Sequence, residues 1–295
     1  MPSKLSIYDG DPWYLSPDVW VIPGDNPDGL PGQPIGGGKA FLKARVHNDG
    51  DEKVEALVRF YWAVPAVGLT RKTANRLDTV DEPPIIVSLD AGEQKEVLCP
   101  SSWSVQYLNG GHLCVLAEAF HPDLDPLEDG LNVPMDRHVA QRNLAVAEPR
   151  KGNRPSLLAF EVHNPYPRDQ RFTLTAQTAD PSILVGLAET SGLAPELLGQ
   201  GGWAEVIGFT PMGCPTRADL EQAAPELEGI QLNGHGITGF NLAARLEGSA
   251  ALVNITQYLD GEQVGGLSYL LLGEDVHKCN LSSRSSLSGG TADDG

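Results

Sequence analysis

Val54-Glu55-Ala56-Leu57-Val58-Arg59-Phe60-Tyr61-Trp62-Ala63 decides the fold class. Val54, Ala56, Val58, Phe60 and Trp62 fall on every second position, with Glu55, Arg59 and Tyr61 in the other register. A period of two puts one set on a dry sheet face and the other on a wet one, whereas a helix would scatter both. Outward from this run, β-branched or alternating segments recur every dozen or so residues, separated by Gly, Pro, Asn and Asp. In the first half they fall at Asp18–Ile22, Ala40–Asn48, Pro84–Leu89, Glu93–Cys99, Gly111–Phe120 and His138–Ala147. With Val54–Ala63 they make up the set that an immunoglobulin-like sandwich requires.

Glu148–Pro155 is polar, with two prolines and a glycine, and reads as a linker. A second set of strands is expected at Ser156–His163, Arg171–Thr178, Ile183–Glu189, Gly202–Phe209, Gly236–Leu246, Ala250–Asp260 and Gln263–Leu272. Asp260-Gly261 between the last two is a strong hairpin signal. Thr216-Arg217-Ala218-Asp219 resembles a capping box ahead of a short helix at Leu220–Leu227, which Pro225 keeps to about two turns. Arg45-Val46-His47-Asn48 is echoed by Glu161-Val162-His163-Asn164 at about one sandwich length. In each, Asn tolerates left-handed backbone and hydrogen-bonds the turn. The expected class is therefore all-β: two tandem immunoglobulin-like sandwiches with short helical insertions in the second. The division is an N-terminal arm at 1–17, sandwiches at 18–147 and 156–279, a linker at 148–155, and a flexible Ser-, Gly- and Asp-rich tail at 280–295.

The chain has 295 residues, 41% of them hydrophobic, and a formal net charge of -18. That is ample for a core, and the charge repels phosphate backbones and anionic headgroups. Nucleic acid is accordingly excluded as a partner, and no run long enough to span a bilayer argues for membrane insertion. No basic region precedes an apolar run at the start, so the expectation is cytoplasmic synthesis without a signal peptide, with export or display by a signal-independent route. Cys99, Cys114, Cys214 and Cys279 lack metal-ligand spacing and read as reduced thiols, a Cys99–Cys114 bridge being the alternative.

Asp18-Val19-Trp20-Val21, Gly32-Gln33-Pro34, Val46-His47-Asn48-Asp49-Gly50, Phe60-Tyr61-Trp62, Leu89-Asp90-Ala91-Gly92-Glu93, His112–Glu118 and Asn143-Leu144-Ala145-Val146 together resemble the bacterial cell-adhesion-related domain, CARDB. The likeness covers roughly residues 18–147. It implies an immunoglobulin-like spacer or adhesive module and transfers no catalytic residue. The chain departs from the family in a long polar insertion at Thr70–Pro83.

Candidate sites are few. Gly36-Gly37-Gly38-Lys39 fails the phosphate-loop pattern twice and reads as a turn. Asp123, Asp125 and Asp129 offer hard oxygen ligands for calcium, the one cofactor considered, though their spacing departs from an EF-hand loop. The histidines are scattered, and His47 and His163 are expected to satisfy turn backbones. Trp62 and Trp203 read as core residues. Trp13 and Tyr14 are the aromatic pair expected at the surface, if any is. Leu5, Ile7 and Tyr8, in the alternating Lys4–Tyr8 run, form a strand with no obvious partner nearby; such a strand completes another subunit's sheet by edge addition, or pairs within its own domain. The expected function is therefore a non-enzymatic structural or protein-interaction subunit of a larger assembly (a fibre, a shell decoration or a secretion apparatus), with protein partners or self-association through sheet edges and loops. The alternative is an adhesin that recognises carbohydrate or a cell surface, with calcium.

Overall fold

In the computed structural model, which describes residues 4–34, 37–63, 74–77, 84–106, 113–127, 136–147, 155–193 and 202–273, Val54–Ala63 is a strand over its whole length. The first half comprises β1 (Leu5–Ser6), β2 (Val19–Pro23), β3 (Lys39–Asn48), β4 (Val54–Ala63), β5 (Asn75–Arg76), β6 (Ile85–Leu89), β7 (Gln94–Leu98), β8 (Trp103–Ser104), β9 (Cys114–Phe120) and β10 (Val139–Arg142). Strand β3 is central to one sheet, with β1 and β2 along one side and β7 and β8 along the other. Strand β4 is central to the facing sheet, between β9, which carries β10, and the pair β5 and β6. The alternation in β4 does what its period dictates: Val54, Ala56, Val58 and Phe60 are buried between the sheets with Val46, Leu42, Ala117 and Trp103.

The second half comprises β11 (Leu144–Ala147), β12 (Ser156–His163), β13 (Gln170–Thr178), α1 (Pro181–Ser191), β14 (Gly202–Pro211), α2 (Arg217–Gln222), β15 (Glu226–Leu232), β16 (Ile237–Gly248), β17 (Ala250–Leu259) and β18 (Glu262–Leu272). One sheet has the order β11-β18-β17-β13-β15 and the other β12-β16-β14, around Phe160, Phe172, Leu174, Phe209, Leu242, Val253 and Tyr269. The two sheets are also joined directly: Thr178 Oγ1 donates to Ala204 O at 2.5 Å and Tyr269 Oη to Ala159 O at 2.6 Å. The hairpin between β17 and β18 turns through Asp260 and Gly261, both at positive φ as the tight turn demands.

Three expectations are corrected. The run His138–Ala147 is two strands: it breaks at Asn143, after which β11 runs parallel to β18 in the second sandwich. The change of sandwich thus occurs at Asn143; the expected linker at 148–155 lies almost wholly outside the described residues, as does the tail at 280–295. The expected strand Ile183–Glu189 is part of helix α1. Its caps decide this: Asp180 accepts from Ser182 N at 2.8 Å, Pro181 begins the helix, and Gly192 closes it in the left-handed region. Leu184, Leu187, Ala188 and Ser191 then share one buried face. The capping box of Thr216 and Asp219 forms, but it opens a helix at Arg217–Gln222, and the stretch beyond Pro225 is strand β15. Cys99 and Cys114, by contrast, are thiols as expected, on facing sheets and without the alternative bridge.

The sequence echo has a structural meaning. Asn48 Nδ2 donates to Glu52 O, Leu89 O and Asp90 O while its Oδ1 accepts from Gly50 N. Asn164 Nδ2 donates to Arg168 O, Leu232 O and Asn233 O, and its Oδ1 accepts from Tyr166 N. Each asparagine therefore staples the end of its strand to the next turn and to the end of a neighbouring strand, β6 in one half and β15 in the other. Neither takes left-handed backbone; the side chain does the work. Because each amide satisfies several buried carbonyls, Asn48→Ala and Asn164→Ala are each expected to cost about 2–3 kcal/mol of stability, measured by urea unfolding. A null effect at either site would break the structural equivalence.

Candidate interaction site: the arm and the junction

The N-terminal arm is held by carboxylates drawn from separate parts of the first sandwich. Leu5 and Ser6 pair with Asn48 and His47 of β3. Leu5 N donates to Asp125 Oδ2 at 2.7 Å, Ser6 Oγ to Asp49 Oδ2 at 2.6 Å and Tyr8 N to Asp18 Oδ2 at 3.1 Å. Tyr8 Oη donates to Asp49 Oδ1 at 2.9 Å, and its ring stacks on His47, with centroids 3.9 Å apart. Ile7 N reaches across to Arg137 O at 3.0 Å. Leu5 and Ile7 are fully buried in the first core, whereas Tyr8 is 46% exposed. Of the two expected fates of this strand, pairing within its own domain is the one observed, because β3 extends past β2 and leaves it an edge.

Asp125 is turned inward to serve this arm, and Arg137 and His138 face it, with His138 Nε2 3.1 Å away. His138 Nδ1 lies 2.6 Å from Asp136 Oδ1. With Leu5 N on one oxygen and Arg137 and His138 on the other, Asp125 is withdrawn from the expected acidic loop. Asp123 stays exposed in a turn where its amide donates to His121 Nδ1, and Asp129 lies outside the described residues. Among the described residues no group of three metal-ligating side chains assembles. His47 meets the Asp18 carboxylate at 2.7 Å, where turn backbone was expected.

Ionisation grades the arm. Burial raises the Asp49 carboxyl, but donation from Ser6 and Tyr8 outweighs it and holds the group below its usual range. Asp9, with burial and no compensating donor to Oδ1, is pushed up to about 7. A carboxyl raised in the folded state favours folding at pH values below its unfolded pKa of about 4, and that contribution is lost as pH rises through 7. Asp9→Asn is thus expected to stabilise the protein by about 1–2 kcal/mol at pH 8, after screening at this partly open site, and to change little at pH 4. Thermal unfolding of both proteins across that range checks the sign.

Beyond the arm, the chain enters the boundary between the sandwiches. Trp13 is half-buried, edge-on to Tyr14. Tyr14 is fully buried: its ring lies over Gly266 in β18, where a Cβ would sit 2.1 Å from Cε1, and its hydroxyl donates to Ile255 O at 3.1 Å. Tyr14 and Leu15 pack with Leu184, Leu187 and Ala188 of α1 and with Ala250, Leu252, Leu270 and Leu272. Neither Trp13 nor Tyr14 is therefore the exposed aromatic surface; Gly266 provides the notch that takes Tyr14 in.

Asn143 and Arg142 complete the junction. Asn143 N donates to Tyr14 O at 2.9 Å, its Nδ2 to Gly266 O at 2.6 Å, and its carbonyl accepts from Ser268 N at 3.0 Å. Buried Arg142 donates to Val19 O at 3.3 Å and to Thr190 Oγ1 and Ser191 Oγ of α1 at 2.6 and 2.5 Å. These partners are uncharged, and desolvation lowers the guanidinium to about 10. The cleft here, lined by Val21, Gln33, Leu113 and Arg142 among others, admits about 20 Å³, room for a water molecule and not a substrate. No single sequence motif signals the junction; Tyr14 and Gly266 meet only through the fold.

Of the two tryptophans expected in the core, Trp62 packs against it and Trp203 does not. Trp62 is half-buried, stacked 6.0 Å from Trp103, while Trp203 on β14 is 52% exposed beside the Glu205–Arg245 ion pair. Trp203 alternates onto the face of its sheet that points away from the core.

No protein-family model matches the sequence, and no curated protein matches it. Among solved structures, red sea bream transglutaminase is similar at 12% identity, with a TM-score of 0.23, over 93% of this chain and 31% of the enzyme. The CupB6 tip adhesin from Pseudomonas aeruginosa is similar at 10% identity and a TM-score of 0.21, over 92% of this chain and 98% of the adhesin. CfaE, the adhesive subunit of CFA/I fimbria of enterotoxigenic Escherichia coli, gives 9% and 0.23 over 92% and 94%. The chain spans less than a third of the length of the first three structures it resembles. Likeness at these scores carries no argument about role. In the described residues no helix is long and apolar enough to cross a membrane.

Proposed function

We propose that this chain is a non-enzymatic structural subunit, a two-sandwich rod element that self-associates or contacts protein partners within a larger assembly. The observation that supports the reading is the junction: a buried aromatic plug, a buried arginine and an asparagine with three hydrogen bonds are invested in fixing one sandwich against the other. Holding two modules at a set angle is what a load-transmitting or lattice-forming subunit requires, whereas independently folding modules are joined by open linkers. The arm adds a chemically specific groove at the sandwich surface. Light scattering of the pure protein over a rising concentration series tests the proposal, with electron microscopy of the concentrated sample. Growth into oligomers or filaments is expected; a monomer at millimolar concentration contradicts it.

Exposed Trp203 favours a second reading, a carbohydrate-recognising adhesin. Its indole provides a flat apolar face, and Glu205 and Arg245 beside it offer hydroxyl partners. A glycan array probed with the protein and with Trp203→Ala separates the readings.

A further inference from the structure

We propose that residues 4–8 are exchanged between copies of this chain, the arm of one molecule seating in the groove of the next. The inference rests on the assembly reading and names its contact. The groove specifies its occupant closely. It takes apolar side chains at positions 5 and 7, both fully buried, a hydroxyl at 6 and a phenol at 8, the last two read by the single carboxylate of Asp49. Asp125 and Asp18 read the backbone amides of Leu5 and Tyr8. A second copy of the chain carries every one of these features.

The arm is also built to leave. Its ladder with β3 involves only two residues, Leu5 and Ser6, and side chains of the body hold Leu5 N, Ser6 Oγ, Tyr8 N and Tyr8 Oη. Those side chains belong to separate segments of the body (Asp18 ahead of β2, Asp49 after β3, Asp125 after β9). The tether is anchored beyond it. Tyr14 and Leu15 stay locked in the junction, and Gly10, where a Cβ would lie 2.0 Å from Leu15 O, lets the chain turn sharply between arm and anchor. Residues 4–10 reach about 20 Å when extended, enough to cross to a touching neighbour. Exchange breaks and remakes the same contacts, so its balance is set by local concentration, which an assembly raises.

The test is to mix two full-length variants, Ser6→Cys and His47→Cys, each with Cys214 and Cys279 changed to serine. Positions 6 and 47 are directly opposed in the ladder, and His47 is buried, so a disulfide between the two chains requires an exchanged arm. Under mild oxidation the linked dimer is expected to accumulate at least fivefold above a control pairing Ser6→Cys with Glu262→Cys. A chain carrying both Ser6→Cys and His47→Cys shows whether the pair closes at all. In parallel, a fluorescent peptide of residues 1–10 is added to the unaltered chain, with anisotropy expected to rise, and to stay flat for the peptide with Leu5 and Ile7 changed to Asp. No linked dimer from a pair that closes within one chain overturns the proposal; if the pair does not close, a flat trace for the unaltered peptide overturns it. Light scattering of the unaltered chain reports on assembly separately, so exchange can fail while assembly stands.

Discussion

Gly266→Val is expected to cost the protein about 3 kcal/mol or more and to loosen one sandwich from the other. The new side chain would begin 2.1 Å from Tyr14 Cε1 and 2.8 Å from Ile255 O, so either the plug leaves or β18 shifts. Overfilling a packed site costs about 1–3 kcal/mol, and expelling a buried tyrosine adds the loss of its packing. The cause is separable by a double-mutant cycle. Tyr14→Ala alone should cost about 3–5 kcal/mol, but in its presence Gly266→Val should cost only about 1–2 kcal/mol, from the contact with Ile255 that remains. Urea unfolding of the four proteins measures the coupling. Additive effects would mean that Tyr14 does not occupy the notch.

Arg142→Ala is the second large effect, expected at about 2–4 kcal/mol. It strands the hydroxyls of Thr190 and Ser191 in a site with almost no solvent and opens a cavity. Lysine should recover only part of this, since one ammonium on a flexible stem does not reproduce the fork that spans β2 and both hydroxyls of α1. Methionine fills the volume and removes the desolvated charge, which burial lowers to about 10, so it should outperform alanine. Because α1 belongs to the second sandwich and Val19 to the first, Arg142→Ala is also expected to split a single unfolding transition into two. A lone, unshifted transition would remove Arg142 from the junction's energetics.

Much of the fold was legible because it rests on local pattern. The alternation in Val54–Ala63, the Asp260-Gly261 turn and the box of Thr216 and Asp219 each act over a few residues. The paired asparagines were legible as turns, although their reach to Leu89 and Leu232 was not. What escaped depends on long-range contact. Asn143 lies between Val139–Arg142 and Leu144–Ala147 with no glycine or proline to mark a break, and only the pairing of Leu144–Ala147 with β18 makes it a boundary. Tyr14 lies among prolines with nothing nearby to name its partner, and it is Ile255, 241 residues on, that accepts its hydroxyl. Ile183–Glu189 carries a strand's composition, and Asp180 and Gly192 override it from outside the run. Trp203 obeys its alternation, but periodicity does not say which face of a sheet is covered.

If Tyr14, Arg142 and Asn143 hold the two sandwiches as one body, probes placed on either side of the junction must read one distance. Spin labels at exposed Glu52→Cys and Glu262→Cys, in a chain with Cys214 and Cys279 changed to serine, report the distance between them by pulsed electron resonance. A single narrow distance distribution is predicted, broadening when Gly266→Val is added. A broad distribution in the otherwise unaltered protein would contradict the account.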